Sequence, residues 1–170
     1  NPRVVWIVLR NMYYKDEVED KDRIVTGWGA SLSGIWQFAE NTSLCFQGVY
    51  GKGISNYIQD ISGSGLDLVP RTTAEGELKA FCAWGGYIGF SHNWNKVLTS
   101  NIMYSYARAL DRYGMPATSY KYAQYAAANL FWDFSEYGSC AIEYVFGRRN
   151  DFNKDYGNAS RINTMIQYRF

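Results

Sequence analysis

Polar and apolar residues alternate with period two over most of the chain, the repeat of β-strands whose two faces meet different surroundings. The cleanest case lies within 27–38. Trp28, Ala30, Leu32, Gly34, Trp36 and Phe38 share one face, against Gly27, Gly29, Ser31, Ser33, Ile35 and Gln37 on the other. The last segment repeats the pattern, with Ile162, Thr164, Ile166, Tyr168 and Phe170 opposite Arg161, Asn163, Met165, Gln167 and Arg169. Strands are predicted over 3–14, 23–38, 42–52, 78–92, 97–108, 121–133, 138–149 and 160–170, most of them close to the roughly 9–11 residues a tilted strand needs to cross a bilayer. Their lipid-side parity is Leu44, Phe46, Tyr50; Cys82, Trp84, Ile88, Phe90; Leu98, Ile102, Tyr104; Ala126, Ala128, Leu130, Trp132; and Cys140, Ile142, Tyr144, Phe146. In the first strand, 4–9 is apolar on both faces, which predicts packing against a neighbouring subunit or an inner plug.

The connections sort into two alternating classes. Short turns fall at 39–41, 93–96 and 134–137; long polar connections fall at 16–22, 53–77, 109–120 and 150–159. Outer-membrane barrels have this asymmetry, with periplasmic turns and extracellular loops. Eight strands then return both ends of the chain to the turn side. Aromatic residues gather at strand ends (Tyr13, Tyr14, Trp36, Phe38, Trp132, Phe134, Tyr168, Phe170), as interfacial girdles do. The connection 53–77 holds Ile54, Tyr57, Ile58, Ile61, Leu66, Leu68 and Val69 among glycines. It is too apolar for a solvated loop and is expected to fold into the lumen as a constriction. The predicted fold is an all-β, antiparallel transmembrane β-barrel, one domain over 1–170.

Composition agrees with that reading. An aromatic content of 18% accompanies a mean hydropathy of only −0.33, a combination that arises when lipid-facing and water-facing residues alternate. Lys+Arg 17 against Asp+Glu 16 leaves no global field to attract nucleic acid. The longest apolar run, 4–9, is far short of the ~18 residues of a helical span. No basic, apolar signal segment follows Asn1-Pro2-Arg3, so the chain reads as mature or truncated. Cys45, Cys82 and Cys140 lack metal-site spacing and read as apolar fillers; neither a metal nor a cofactor is implied.

At the C-terminus, Ile166-Gln167-Tyr168-Arg169-Phe170 resembles the outer-membrane β-signal read by the barrel-assembly machinery, with Tyr168 and Phe170 as its aromatic positions. Phe46-Gln47-Gly48-Val49-Tyr50-Gly51-Lys52-Gly53-Ile54-Ser55, Trp84-Gly85-Gly86-Tyr87-Ile88-Gly89-Phe90-Ser91-His92, Glu143-Tyr144-Val145-Phe146-Gly147-Arg148-Arg149 and Arg161-Ile162-Asn163-Thr164-Met165-Ile166-Gln167-Tyr168 are similar, in that order, to the end of DcaP-type porins. The resemblance covers about 42–170. It implies a homotrimeric outer-membrane channel of roughly sixteen strands that passes small anionic solutes such as dicarboxylates, in contact with outer-membrane lipids and lipopolysaccharide. This chain is about half as long, so it is expected to be either the C-terminal half of such a barrel or a true eight-stranded one. The abrupt start, the missing signal segment and the resemblance favour the half.

Arginine is the residue type best suited to guide anions, because its guanidinium is always charged and its planar fork matches a carboxylate. Arg10, Arg149, Arg161 and Arg169 have pore-side parity, with Lys79 beside them. Alternatively they are wall charges paired with Glu143 or Asp133, or lie near head groups. The only histidine, His92, ends a strand, and Ser91 beside it faces the other way, so no catalytic dyad is expected. The acidic cluster Asp16, Glu17, Glu19, Asp20 and Asp22 reads as a solvated loop before it reads as a cation site. The functional expectation is a passive porin without enzymatic activity. Its rivals are a small non-conducting barrel that anchors or binds partners, and a soluble barrel with the Trp28 face buried.

Overall fold

The computed structural model describes residues 2–71, 76–110, 112 and 114–170; positions 72–75, 111 and 113 of the two longest connections lie outside the described residues. Eight strands form one antiparallel sheet: β1 (Arg3–Asp16), β2 (Lys21–Ala39), β3 (Thr42–Lys52), β6 (Cys82–Asn93), β7 (Leu98–Ala109), β8 (Tyr120–Asp133), β9 (Gly138–Asp151) and β10 (Tyr156–Tyr168). Each pairs with its neighbours in that order. A two-stranded ribbon, β4 (Leu68–Pro70) with β5 (Leu78–Ala80), and two 3-10 turns, Ser55–Tyr57 and Gln59–Ile61, lie between β3 and β6. No described residue is in an α-helix.

Register carries the predicted parity across the whole sheet. Trp36 lies opposite Leu44, Leu44 opposite Phe90, Phe90 opposite Ile102, Ile102 opposite Ala128, Ala128 opposite Tyr144, and Tyr144 opposite Ile162. One face, here called outer, is therefore apolar from edge to edge and open. Leu32, Trp36, Ile88, Ile102, Ile142 and Ile166 are all exposed on it. A water-soluble monomer seldom exposes a continuous apolar patch beyond a few hundred Å², so this face belongs against lipid or protein. In β1 the odd positions Val5, Ile7 and Leu9 join the outer face through their pairing with Leu32, Ala30 and Trp28. The even positions Trp6 and Val8 turn inward.

On the inner face the sheet carries the connection between β3 and β6. Ile54, Ile58, Ile61, Val69 and Phe81 of this inner loop are buried against Val49, Ala83, Ala107, Ala109 and Tyr120 of the wall, with Trp6 and Val8 alongside. Small residues make the approach possible. A Cβ on Gly29 would stand 2.8 Å from Ile54, and one on Gly85 would stand 3.1 Å from Ile58. The apolar content of 53–77 is thus the loop's half of a core, and β1 is apolar on both faces because it meets the loop inside and the open face outside.

Three differences from the sequence reading have local causes. The strand predicted as 78–92 breaks at Phe81, which is fully buried while its N–H donates to Asp67 O (3.0 Å) and its carbonyl accepts from Gly53 N–H (2.7 Å). The connections predicted as 16–22 and 150–159 shorten to 17–20 and 152–155, because β1, β2, β9 and β10 extend past the apolar belt. Opposite charges continue the first ladder, Lys15 facing Asp22 and Asp16 facing Lys21. The expected difference in length therefore holds for the connections β3 to β6 and β7 to β8, while 17–20 and 152–155 are no longer than the turns 94–97 and 134–137; both ends of the chain lie with the turns.

The two edge strands, β1 and β10, do not pair with each other, so the sheet is open. An eight-stranded closed barrel has an interior just filled by its own side chains. The inner loop needs more room than that, and the small closed barrel is not what these strands form.

Candidate inner wall and constriction

The inner face is built of the odd positions of β6 to β10, and register stacks them into rows. One row is polar throughout: Ser43, Ser91, Asn101, Asn129, Glu143 and Asn163 lie opposite one another on successive strands. Its side chains bond along the row. Asn101 Nδ2 donates to Asn129 Oδ1 (2.7 Å), Asn129 Nδ2 to Glu143 Oε2 (3.4 Å), and Asn163 Nδ2 to Glu143 Oε1 (2.8 Å). Asn101 and Asn163 each spend one group on a neighbour and Asn129 spends two, which leaves further donors and lone pairs for water or a solute. Glu143, an arginine partner only in the alternative reading of the wall charges, is held by two asparagines.

A second row, Gln47, Tyr87, Ser105 and Tyr125, lies nearer the loop end and faces the turn 57–60. Wall and turn enclose a recess of about 510 Å³.

Asp67 fixes the loop in place. Its Oδ1 accepts from the Ser55 backbone N–H (2.8 Å) and hydroxyl (2.7 Å); its Oδ2 accepts from Asn56 Nδ2 (3.0 Å) and Arg10 Nη1 (2.8 Å). Arg10 Nη1 also donates to Gly53 O (3.1 Å). At the far end of the loop the Tyr14 hydroxyl accepts from Leu78 N–H (2.9 Å). Arg23 gathers Asp16 (2.7 Å), Glu19 (3.1 Å) and Glu77 (3.2 Å), and Glu77 also holds Arg71 (3.0 Å). Of the acidic cluster near the first connection, Asp16, Glu19 and Asp20 are taken up in ion pairs with Arg23, Lys15 and Lys21.

The five sequence-predicted cations are scattered. Arg10 faces inward but is committed to the loop. Lys79 lies on β5 opposite Val69, half-buried in the ribbon. Arg149 is on the inner face of β9, its Nε 2.9 Å from Asp151 Oδ1 and its guanidinium 5.8 Å from the Tyr120 ring centre. Arg161, on the inner face of β10 opposite Val145, is exposed and makes no ion pair among the described residues. Arg169 follows β10 at the turn-end rim, its backbone N–H donating to Tyr137 O (2.7 Å), beside Lys96, Asp133 and Glu136. Tyr168 and Phe170 point outward and are strongly exposed. Parity places the arginines on this face and places the asparagine row there equally, although no charge marks it in the sequence.

Aromatic rings edge the outer face at both ends. Trp36, Phe38, Phe90, His92 and Trp94 form a chain of ring contacts at the turn end, with Trp132–Phe134 and Tyr137–Tyr168 beside it. Trp28–Tyr50 and Trp84–Tyr106–Tyr122 do the same toward the loop end. His92 belongs to this girdle, with Nδ1 2.8 Å from the Thr42 hydroxyl. From Trp28 to Trp36 is about 26 Å along the strand.

No family model matches the chain, and no curated protein does. The fold is similar to that of the outer membrane channel DcaP of Acinetobacter baumannii, with a TM-score of 0.76 at 18% identity; the match covers 99% of this chain and 47% of that one. The chain therefore spans about half the length of that channel.

Proposed function

We propose that this chain is part of the wall of a passive outer-membrane channel for small hydrophilic solutes, with small anions preferred. The observation that carries the reading is the division of the sheet: an open apolar outer face bounded by two aromatic girdles, and a polar inner face narrowed by an inserted loop. Lipid suits the first and water the second. The shared fold with an outer membrane channel supports the same placement.

In this reading a solute enters at the loop end, passes between the turn 57–60 and the wall, and slides along the row from Ser43 to Asn163, where amides and hydroxyls replace part of its hydration shell. Arg149 and Arg161, stacked along the inner face near β10, supply the positive potential that draws anions in. Arg169 does so at the turn-end rim. Glu143 in the row and Asp60 on the turn oppose that potential, so the preference is modest. A homotrimer, which the sequence resemblance implies, would use apolar outer surface such as Val5, Ile7 and Leu9 for contact between copies. Lipopolysaccharide would meet the charged loop end, and the barrel-assembly machinery would read Tyr168 and Phe170.

Swelling of liposomes containing the full natural polypeptide tests this. Entry of small neutral and anionic solutes should be fast and should fall steeply with solute size. No solute entry, with the protein shown to be inserted and folded, would refute a channel.

A further inference from the structure

We propose that the recess between the turn 57–60 and the wall is a binding subsite for the ammonium group of a small organic solute, with Asp60 as counter-ion and tyrosine rings as walls. The inference rests on the channel reading only in that solutes reach the recess from the lumen. Its volume, about 510 Å³, falls among those of small-molecule sites. Tyr57 from the loop and Tyr87 and Tyr125 from the wall line it, and Gln47, Gln59 and Ser105 add neutral hydrogen-bonding groups. Tyr57 is braced by Trp6, at 5.5 Å between ring centres.

Asp60 is the one charged residue in this lining. It contrasts with Asp67 in the same loop, whose oxygens are taken up by Arg10, Ser55 and Asn56. Among the described residues no cation pairs with Asp60. Asp60 is exposed at the edge of the recess, and the protein atoms packed beside it raise its carboxyl above the usual aspartate range, so its charged form gains from a cation brought to it. Ring faces attract the same cation. An anion would meet this carboxylate with repulsion, and a neutral solute would leave its charge uncompensated. The chemistry selects an ammonium, on a small body able to pack against Ile58, Met103 and the rings. A solute that also bears a carboxylate would find Arg149 or Arg161 on the same face.

Benzylammonium is a suitable probe, titrated by calorimetry into the detergent-solubilised full polypeptide at low salt and pH 8. Benzyl alcohol serves as the neutral control. Wild type should bind the ammonium at least tenfold more tightly than the alcohol. Asp60→Asn should lose at least tenfold in affinity, and Tyr125→Leu several-fold. Both variants should keep the folded, heat-modifiable electrophoretic mobility. Binding should weaken as pH falls through the raised pKa of Asp60, because protonation removes the counter-ion. Equal binding of the alcohol, or undiminished binding by Asp60→Asn, overturns the proposal. Absence of binding with conductance intact sinks the subsite and leaves the channel; binding without conductance supports the subsite and counts against the channel.

Discussion

Replacing Asp67 with alanine should release the inner loop and, in the proposed channel, widen the path. The carboxylate takes hydrogen bonds from the Ser55 N–H and hydroxyl, the Asn56 amide and the Arg10 guanidinium. Alanine leaves the Ser55 donors, nearly fully buried, without an acceptor, and leaves Arg10 unpaired. Side-chain exposures of 16% for Asp67 and 30% for Arg10 place this pair between the surface and buried cases. Removing one partner of a buried pair costs about 3–5 kcal/mol, and surface screening argues for the lower end. At about 1.4 kcal/mol per factor of ten, a loss near ~3 kcal/mol multiplies the undocked population roughly 150-fold. Apolar seating of Ile54, Ile61 and Val69 opposes release, so the loop should exchange between docked and undocked states. In a planar bilayer, Asp67→Ala should show a higher mean conductance and frequent transitions between two levels, and cleavage within the loop by added protease should speed up. Asp67→Asn, which keeps an acceptor oxygen and the shape, should fall between. Wild-type conductance, noise and protease resistance in a folded Asp67→Ala protein would refute the assignment of Asp67 as the anchor and of the loop as the constriction.

Other consequences are equally direct. Arg149→Gln with Arg161→Gln should move the reversal potential in a salt gradient toward cation preference; at about 6 Å in water each charge acts with about 0.7 kcal/mol, near threefold, and the change should shrink at high salt. Ile102→Arg, on the outer face midway between the girdles, should lower stability in vesicles by about 2–4 kcal/mol by urea titration, whereas Ser105→Arg on the inner face should cost under about 1 kcal/mol by the same assay. Gly51→Ala should damage folding more than a usual overpacking change of about 1–3 kcal/mol, because the new Cβ would stand 2.2 Å from the backbone oxygen of Trp28; loss of the heat-modifiable band reports it.

Period-two patterning made the strands and their faces legible, since alternation and register are two descriptions of one constraint. Other features depend on contacts remote in sequence. Arg10 and Asp67 are 57 positions apart, and nothing local to Arg10 distinguishes a loop anchor from a free pore-lining cation. The apolar excess of 4–9 and of 53–77 was visible as two anomalies, and only in three dimensions do Trp6 and Val8 meet the loop residues that explain both. Strand extension beyond the belt escaped notice because Asp, Lys and Arg read as loop residues, although cross-strand pairs such as Lys15 with Asp22 sustain a ladder in water. At the inner wall, charge marks Arg149 and Arg161 in the sequence, whereas the asparagines that flank Glu143 become a row only through strand register.

Cysteine accessibility along β7 tests most directly that the sheet divides lipid from water. In a background where Cys45, Cys82 and Cys140 are replaced by alanine, single cysteines at Asn101, Met103 and Ser105 would be compared with those at Ile102 and Tyr104 in protein reconstituted into vesicles. The account predicts that a charged, membrane-impermeant thiol reagent labels 101, 103 and 105, and that fluorophores at 102 and 104 are quenched by bilayer-embedded quenchers. Uniform labelling of all five, or labelling of 102 and 104 in preference to their neighbours, would contradict it.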